Sequence, residues 1–179
     1  MSQFKELVNK CTDQYLELKD QILHPETVWY RKAIDPVTLQ PGPDYVWFSH
    51  EIIVRPNPHF RCSAPSSSLA PLATQVLTEI LQDNGIEPFL FYRISVNCLP
   101  RQTKPVVPKA HVDHSFDYKH LIIYLNDADG DTVMYNQKGQ IIARSKPKQD
   151  KAIQFGKVPH SGYFPVKEPE RIVLVATYL

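Results

Sequence analysis

At 179 residues, with 42% hydrophobic and 22% charged side chains, the chain is long enough for one packed domain, 1–179, and ordinary enough in composition to be globular. A formal net charge of +1 supplies no global field for a polyanion, so charge balance gives no argument for nucleic-acid binding. No apolar stretch approaches the roughly 20 residues needed to cross a bilayer, and the mixed start MSQFKELVNKCTDQ does not read as a signal peptide, so an intracellular, cytoplasmic protein is expected.

Cys11, Cys62 and Cys98 are odd in number and widely spaced, a pattern of neither a disulfide framework nor a zinc module; reduced, structural thiols are expected. Between Phe4 and Ile22, apolar residues Phe4, Leu7, Val8, Cys11, Tyr15, Leu18 and Ile22 recur at steps of three and four, which predicts one amphipathic helix ended by His24-Pro25. A connector with Pro36, Pro41 and Pro43 follows. Tyr45 to Val54 (YVWFSHEIIV) is aromatic and β-branched and predicts a strand, closed by Pro56-Asn57-Pro58. Beyond Ser66, Ser67 and Ser68, the spacing of Leu69, Leu72, Val76, Leu77, Ile80 and Leu81 predicts a second helix ending near Asn84-Gly85, where a left-handed cap forms easily.

From Phe89 the helical period disappears. Segments 89–99, 108–113, 119–126, 131–136, 140–144, 151–155, 159–164 and 171–179 are short, β-branched or aromatic, and separated by Pro, Gly, Asp and Asn. Eight or so such strands predict a double-sheet jelly roll, a mainly β or α+β fold. Residues 89–179 would form its core. Residues 1–88 would supply helices and a strand that pack on one sheet and leave the other sheet's mouth open. Nothing repeats internally, and the 16 prolines form no PxxP array.

Residues two apart on a strand point to one face, so His111 and Asp113 at a strand end can hold one ion. His160 lies far enough along the chain for the intervening strands to return beside them, and Pro159 keeps its backbone extended. Two imidazoles and one carboxylate on one face of a metal leave the opposite face open, the ligand set of non-haem Fe(II) oxygenases. Against this stands chance: with seven histidines and eleven aspartates, a lone H-x-D is more often a surface hydrogen bond. His24, His50, His59, His114 and His120 compete as ligands; His114 and His120 are expected at the entrance rather than on the ion.

Arg171 opens the apolar run IVLVATYL, where a buried charge needs a partner. A salt bridge to Glu168 or Glu170 is one reading, and a bidentate clamp on a ligand carboxylate is the other. Tyr124 shares a strand face with His120 and Ile122, either as a core aromatic with its hydroxyl at the rim or as a second donor to that carboxylate.

Taken together, HVD at 111–113, IIYLND at 122–127, GDT at 130–132, FGKVPHSGYF at 155–164 and RIVLVATYL at 171–179 resemble the Fe(II)/2-oxoglutarate-dependent dioxygenases, in particular the prolyl-hydroxylase-like branch. The resemblance covers the C-terminal half and implies a double-stranded β-helix. It implies His111, Asp113 and His160 as catalytic iron ligands, with Arg171 and Tyr124 on the distal carboxylate of 2-oxoglutarate. It also implies O₂ as co-reactant, ascorbate as an optional reductant, and hydroxylation of a C–H bond coupled to decarboxylation of 2-oxoglutarate to succinate and CO₂. Two departures stand out. Gly130-Asp131 replaces the family's paired glycine, and Val173 replaces a serine that many members carry two places after the arginine.

Specificity is expected in the N-terminal half and the loops. The basic loop Leu99 to Lys109 (LPRQTKPVVPK) is either a lid or a solvated connector, and Arg144 to Lys151 (RSKPKQDK) has the same two readings. A prolyl residue of a protein or peptide is the leading substrate, by resemblance. A nucleobase stacked on Trp29, Tyr30, Trp47 or Phe48, or a small molecule, are alternatives within the same chemistry. From other classes come a non-catalytic jelly-roll binding protein and a cupin-type metalloenzyme without a keto acid. Manganese, nickel, cobalt or zinc can occupy the same ligands.

Overall fold

The computed structural model describes residues 4–32, 45–56 and 62–179. The connector prolines Pro36, Pro41 and Pro43, together with Asn57, Pro58 and His59, lie outside the described residues. In chain order the elements are β1 (Lys5–Leu7), α1 (Asp13–Leu23), β2 (Tyr30–Lys32), β3 (Trp47–Val54), β4 (Ala64–Pro65), α2 (Ala70–Asp83), β5 (Phe91–Pro100), β6 (Lys119–Tyr124), β7 (Thr132–Tyr135), β8 (Ile141–Ser145), β9 (Ala152–Gly156), β10 (His160–Gly162) and β11 (Glu170–Tyr178). The antiparallel major sheet runs β1-β9-β6-β11-β5-β3-β2, with β4 against β3, and the minor sheet runs β10-β7-β8.

Alternation along each strand divides the core in two. Ile94, Val96 and Cys98 of β5, Leu121 and Ile123 of β6, and Ile172, Leu174 and Ala176 of β11 face outward and bury α1 and α2, through Tyr15, Leu18, Ile22, Val76, Leu77 and Leu81. The opposite faces, with Ile122, Tyr124, Ile153, Phe155, Val173 and Val175, meet Met134 of the minor sheet. The second helix follows the sequence expectation, ending at Asn84 with Gly85 at φ +70°.

Two expectations are corrected. The predicted helix over 4–22 begins instead as β1, paired with β9, and turns helical only at Asp13. Asn9 Oδ1 accepts from the Cys11 N–H at 3.1 Å, Cys11 sits at φ +51°, and the Thr12 hydroxyl caps the Tyr15 N–H, so local turn chemistry interrupts the apolar period. The predicted strand at 108–113 shrinks to a single bridge at His111, because Pro105 and Pro108 lack ladder donors. Cys11, Cys62 and Cys98 are all free thiols, and burial pushes that of Cys98 up to about 12. No described helix is long and apolar enough to cross a membrane.

Candidate metal centre

His111 and His160 exchange both backbone hydrogen bonds, His111 N–H to His160 O and His160 N–H to His111 O, each at 3.0 Å. That single antiparallel pair sets the two imidazoles side by side, with ring centroids 4.8 Å apart. Asp113 turns back from the same segment, its Oδ1 3.3 Å from His111 Nε2. The ligand atoms of His111, Asp113 and His160 all lie within 4.8 Å of one another. His160 Nδ1 lies 3.1 Å from the Val158 carbonyl and His111 Nδ1 3.4 Å from that of Lys109; with Nδ1 donating, Nε2 of His160 keeps its lone pair, whereas Nε2 of His111 carries the hydrogen bond to Asp113 and becomes a ligand on giving up that proton.

The electrostatics suit a cation. Burial works against the charged form of Asp113, yet the hydrogen bond from His111 and the Arg93 guanidinium hold it well below the usual carboxylate range. Burial pushes His160 down to about 4, so its imidazole is neutral and ready to ligate. Two imidazole nitrogens and one carboxylate fit a divalent ion with open positions.

His120 is nearer this centre than the sequence suggested. It is fully buried, stacked on Phe155 with centroids 4.5 Å apart, and its Nε2 lies 4.0 Å from Asp113 Oδ2 and 3.3 Å from the Tyr118 hydroxyl. It therefore lines no entrance. His114 is buried too, with Nε2 3.0 Å from Thr177 Oγ1 and its ring parallel to Phe116.

A cavity of about 190 Å³ opens beside the triad, lined among others by Trp47, Asn97, Pro108, Lys109, Thr132 and Arg171. Arg171 is 3% exposed, and no ion pair to it forms among the described residues; neither Glu168 nor Glu170 holds it. Its Nη2 donates to Thr132 Oγ1 at 2.6 Å, while Nε is buried without a partner. Tyr124 hydroxyl lies 2.8 Å from Thr132 Oγ1 and 3.2 Å from the Ser145 carbonyl, so it reaches this end of the cavity through Thr132. Gly162 makes room for the guanidinium: an added Cβ would sit 3.0 Å from Arg171 Nη1. At Gly130 a Cβ would run into the Tyr163 carbonyl, so the turn before β7 closes with this one glycine.

The sequence reading gave no role to Thr132, Arg55 or Arg93, although GDT at 130–132 was the available signal for the first. Of the aromatics considered for base stacking, Trp47 lines the cavity, Trp29 and Phe48 pack toward the helical side, and Tyr30 is exposed. The 99–109 loop is tied down by bonds from Arg101 N–H to Pro169 O, Gln102 N–H to Pro165 O and Ser161 Oγ to Pro108 O, as a connector would be.

No protein-family model matches the chain, and no curated protein matches it. Solved structures do. A 2OG-Fe(II) oxygenase family oxidoreductase from Burkholderia pseudomallei superimposes with a TM-score of 0.69 at 15% identity, over 98% of this chain and 84% of that one. A prolyl hydroxylase from Trichoplax adhaerens, in complex with a hypoxia inducible factor peptide fragment, gives 0.60 at 10% identity, over 98% and 83%. A prolyl-4-hydroxylase from Pseudomonas putida gives 0.50 at 14%, over 93% and 99%. The chain thus has the double-stranded β-helix fold of the 2OG-Fe(II) oxygenases, prolyl hydroxylases among them.

Proposed function

We propose that the chain is an Fe(II)- and 2-oxoglutarate-dependent dioxygenase that hydroxylates a C–H bond, with a prolyl residue of a protein or peptide as the leading substrate. The observation that carries this reading is a buried Arg171, in no ion pair among the described residues, on the same cavity as a His-Asp-His cluster. A buried cation without a counter-charge is costly, and a non-catalytic jelly roll or a cupin-type enzyme without a keto acid would leave that cost unanswered. The fold shared with a prolyl hydroxylase that binds a peptide supports the substrate reading.

Iron, when bound, supplies the activation of O₂ that couples decarboxylation of 2-oxoglutarate to hydroxylation. His111, Asp113 and His160 would hold it and leave the cavity side open. Arg171 would clamp the distal carboxylate of 2-oxoglutarate, with the Thr132 hydroxyl alongside and Tyr124 orienting Thr132. Phe155, Ile122, Val173 and Val175 keep the floor of the site apolar and exclude water.

The test is succinate release from 2-oxoglutarate by the purified protein with Fe(II) and ascorbate under air. Wild type should turn over slowly without substrate, and His160→Ala should not. If wild type makes no succinate and binds no 2-oxoglutarate with Mn(II) present, the reading fails.

A further inference from the structure

The segment that carries the first metal ligands lies at the margin of the minor sheet, beside β10, and one of its sides is open. His111 exchanges both backbone hydrogen bonds with His160, so its N–H and C=O face β10. Backbone groups alternate sides along such a ladder, which turns the N–H and C=O of Ala110 and Val112 the other way. Among the described residues, none of those groups has a hydrogen-bond partner. The backbone on either side is occupied: the Pro108 carbonyl accepts from Ser161 Oγ at 2.7 Å, the Asp113 N–H donates to the Tyr118 hydroxyl at 2.9 Å, and the Asp113 carbonyl accepts from Arg55 Nη1 at 3.2 Å. Val112 is 38% exposed, so the open edge reaches solvent right between two metal ligands.

An unpaired edge beside a reacting centre suits an extended polypeptide, whose backbone supplies the matching donors and acceptors. On the oxygenase reading, on which this step rests, alternation also selects the peptide residue that reaches the metal. Side chains opposite Ala110 and Val112 share their outer face, while the one opposite His111 lies on the cavity side, with Cβ atoms roughly 5 Å apart. That inward residue belongs to a non-hydrogen-bonded pair and turns its N–H away from the edge, so proline fits there without costing a ladder bond. Two residues later, an antiparallel peptide meets Lys109, and two residues earlier it meets Asp113, both of which line the cavity. Segment 101–112 carries Arg101, Lys104 and Lys109 and no acid; all three are exposed and in no ion pair among the described residues. Opposite charges across a ladder attract and like charges repel, so acidic residues are favoured after the reacting residue and disfavoured before it. We propose that the edge at 110–112 takes the substrate polypeptide as an added antiparallel strand, with the reacting residue opposite His111 and an acidic residue two positions later opposite Lys109.

Titration calorimetry on Mn(II)- and 2-oxoglutarate-loaded protein under nitrogen tests the register together with the binding. The probes are acetyl-TVTVPVEVE-amide and its isomer acetyl-EVEVPVTVT-amide, equal in composition and charge. The first should bind roughly fivefold more tightly, and Lys109→Glu should invert that preference. The N–H of the valine after proline would donate to the Ala110 carbonyl, so methylating that nitrogen should weaken binding roughly tenfold. The N–H of the next glutamate faces away, and methylating it should change the affinity by less than about twofold. Isomers that bind equally, equal costs for the two methylations, an unchanged preference in Lys109→Glu, or no binding of either peptide at about 1 mM would each overturn the proposal. The Mn(II) and 2-oxoglutarate titrations come first. If they fail, the oxygenase reading falls by itself, and the two isomers titrated against the metal-free chain still read the edge.

Discussion

Arg171 is the residue whose environment says most, because its charge is buried and its neighbours are hydroxyls. Thr132 Oγ1 at 2.6 Å and the Tyr124 ring at 5.6 Å from its Cζ orient the guanidinium without neutralising it. Replacing it by Gln keeps a donor and removes the charge. Arg171→Gln should weaken 2-oxoglutarate binding by about 1.5–3 kcal/mol, the range for charge-assisted hydrogen bonds, and leave Mn(II) affinity unchanged in calorimetry. Loss of Mn(II) binding in the same variant would show that the arginine supports the metal centre instead. Gly162→Ala approaches the same group from the other side. Its new Cβ, 3.0 Å from Nη1, should displace the guanidinium from Thr132 and weaken 2-oxoglutarate, again with Mn(II) unaffected. Equal 2-oxoglutarate affinity in Gly162→Ala and wild type would mean that the guanidinium shifts at no cost.

At the scale of elements, what the sequence revealed depended on whether the signal was local. The strand faces of β5, β6 and β11 and the second helix were legible, since alternation and helical period are written along the chain, and His111, Asp113, His160 and Arg171, singled out together from the sequence, do meet at one cavity. Arg93 and His120 were not legible. They share a row across the inner face, His120 opposite Thr177 on β11 and Thr177 opposite Arg93 on β5, and that row exists only through strand register. The start of α1 failed for the opposite reason: β1 fits the helical period by accident, and the edge of β9 claims it. Once formed, α1 is anchored by Asp150 of the turn before β9, which accepts from Tyr15 Oη at 2.6 Å and Lys19 Nζ at 2.7 Å. Asp150 is at φ +65°, which Asn tolerates, so Asp150→Asn removes charge without adding backbone strain. Chemical denaturation should show a loss of about 1–3 kcal/mol, set by the Lys19 ammonium left half-paired. A loss below about 0.5 kcal/mol would class the pair with ordinary surface ion pairs.

For the whole molecule, the histidines make stability depend on pH in a definite direction. Burial and the nearby Arg55 charge push His114 down to about 4, burial drives His120 well below its ordinary value, and burial brings His160 to about 4. His114 and His160 are neutral in the fold at pH 5 and His120 is held toward its neutral form, whereas an unfolded chain takes up their protons near pH 6.5. The unfolded state therefore binds more protons, and stability falls as pH drops from about 6.5 toward 4, by up to roughly 1.4 kcal/mol per pH unit for each fully differential histidine. His111 acts in the other sense. Burial lowers its pKa, the Asp113 hydrogen bond more than restores it, and the net upward shift contributes stability that is present below about 6.5 and fades as pH rises through its folded value. Three groups against one leave a net loss on acidification. Urea unfolding of the metal-free protein at pH 7.5 and pH 5.0 should show it, and His114→Gln should flatten the slope by about one proton. A slope equal in His114→Gln and wild type would mean that His114 accepts its proton in the fold, with Arg55 and the Phe116 stack moved aside.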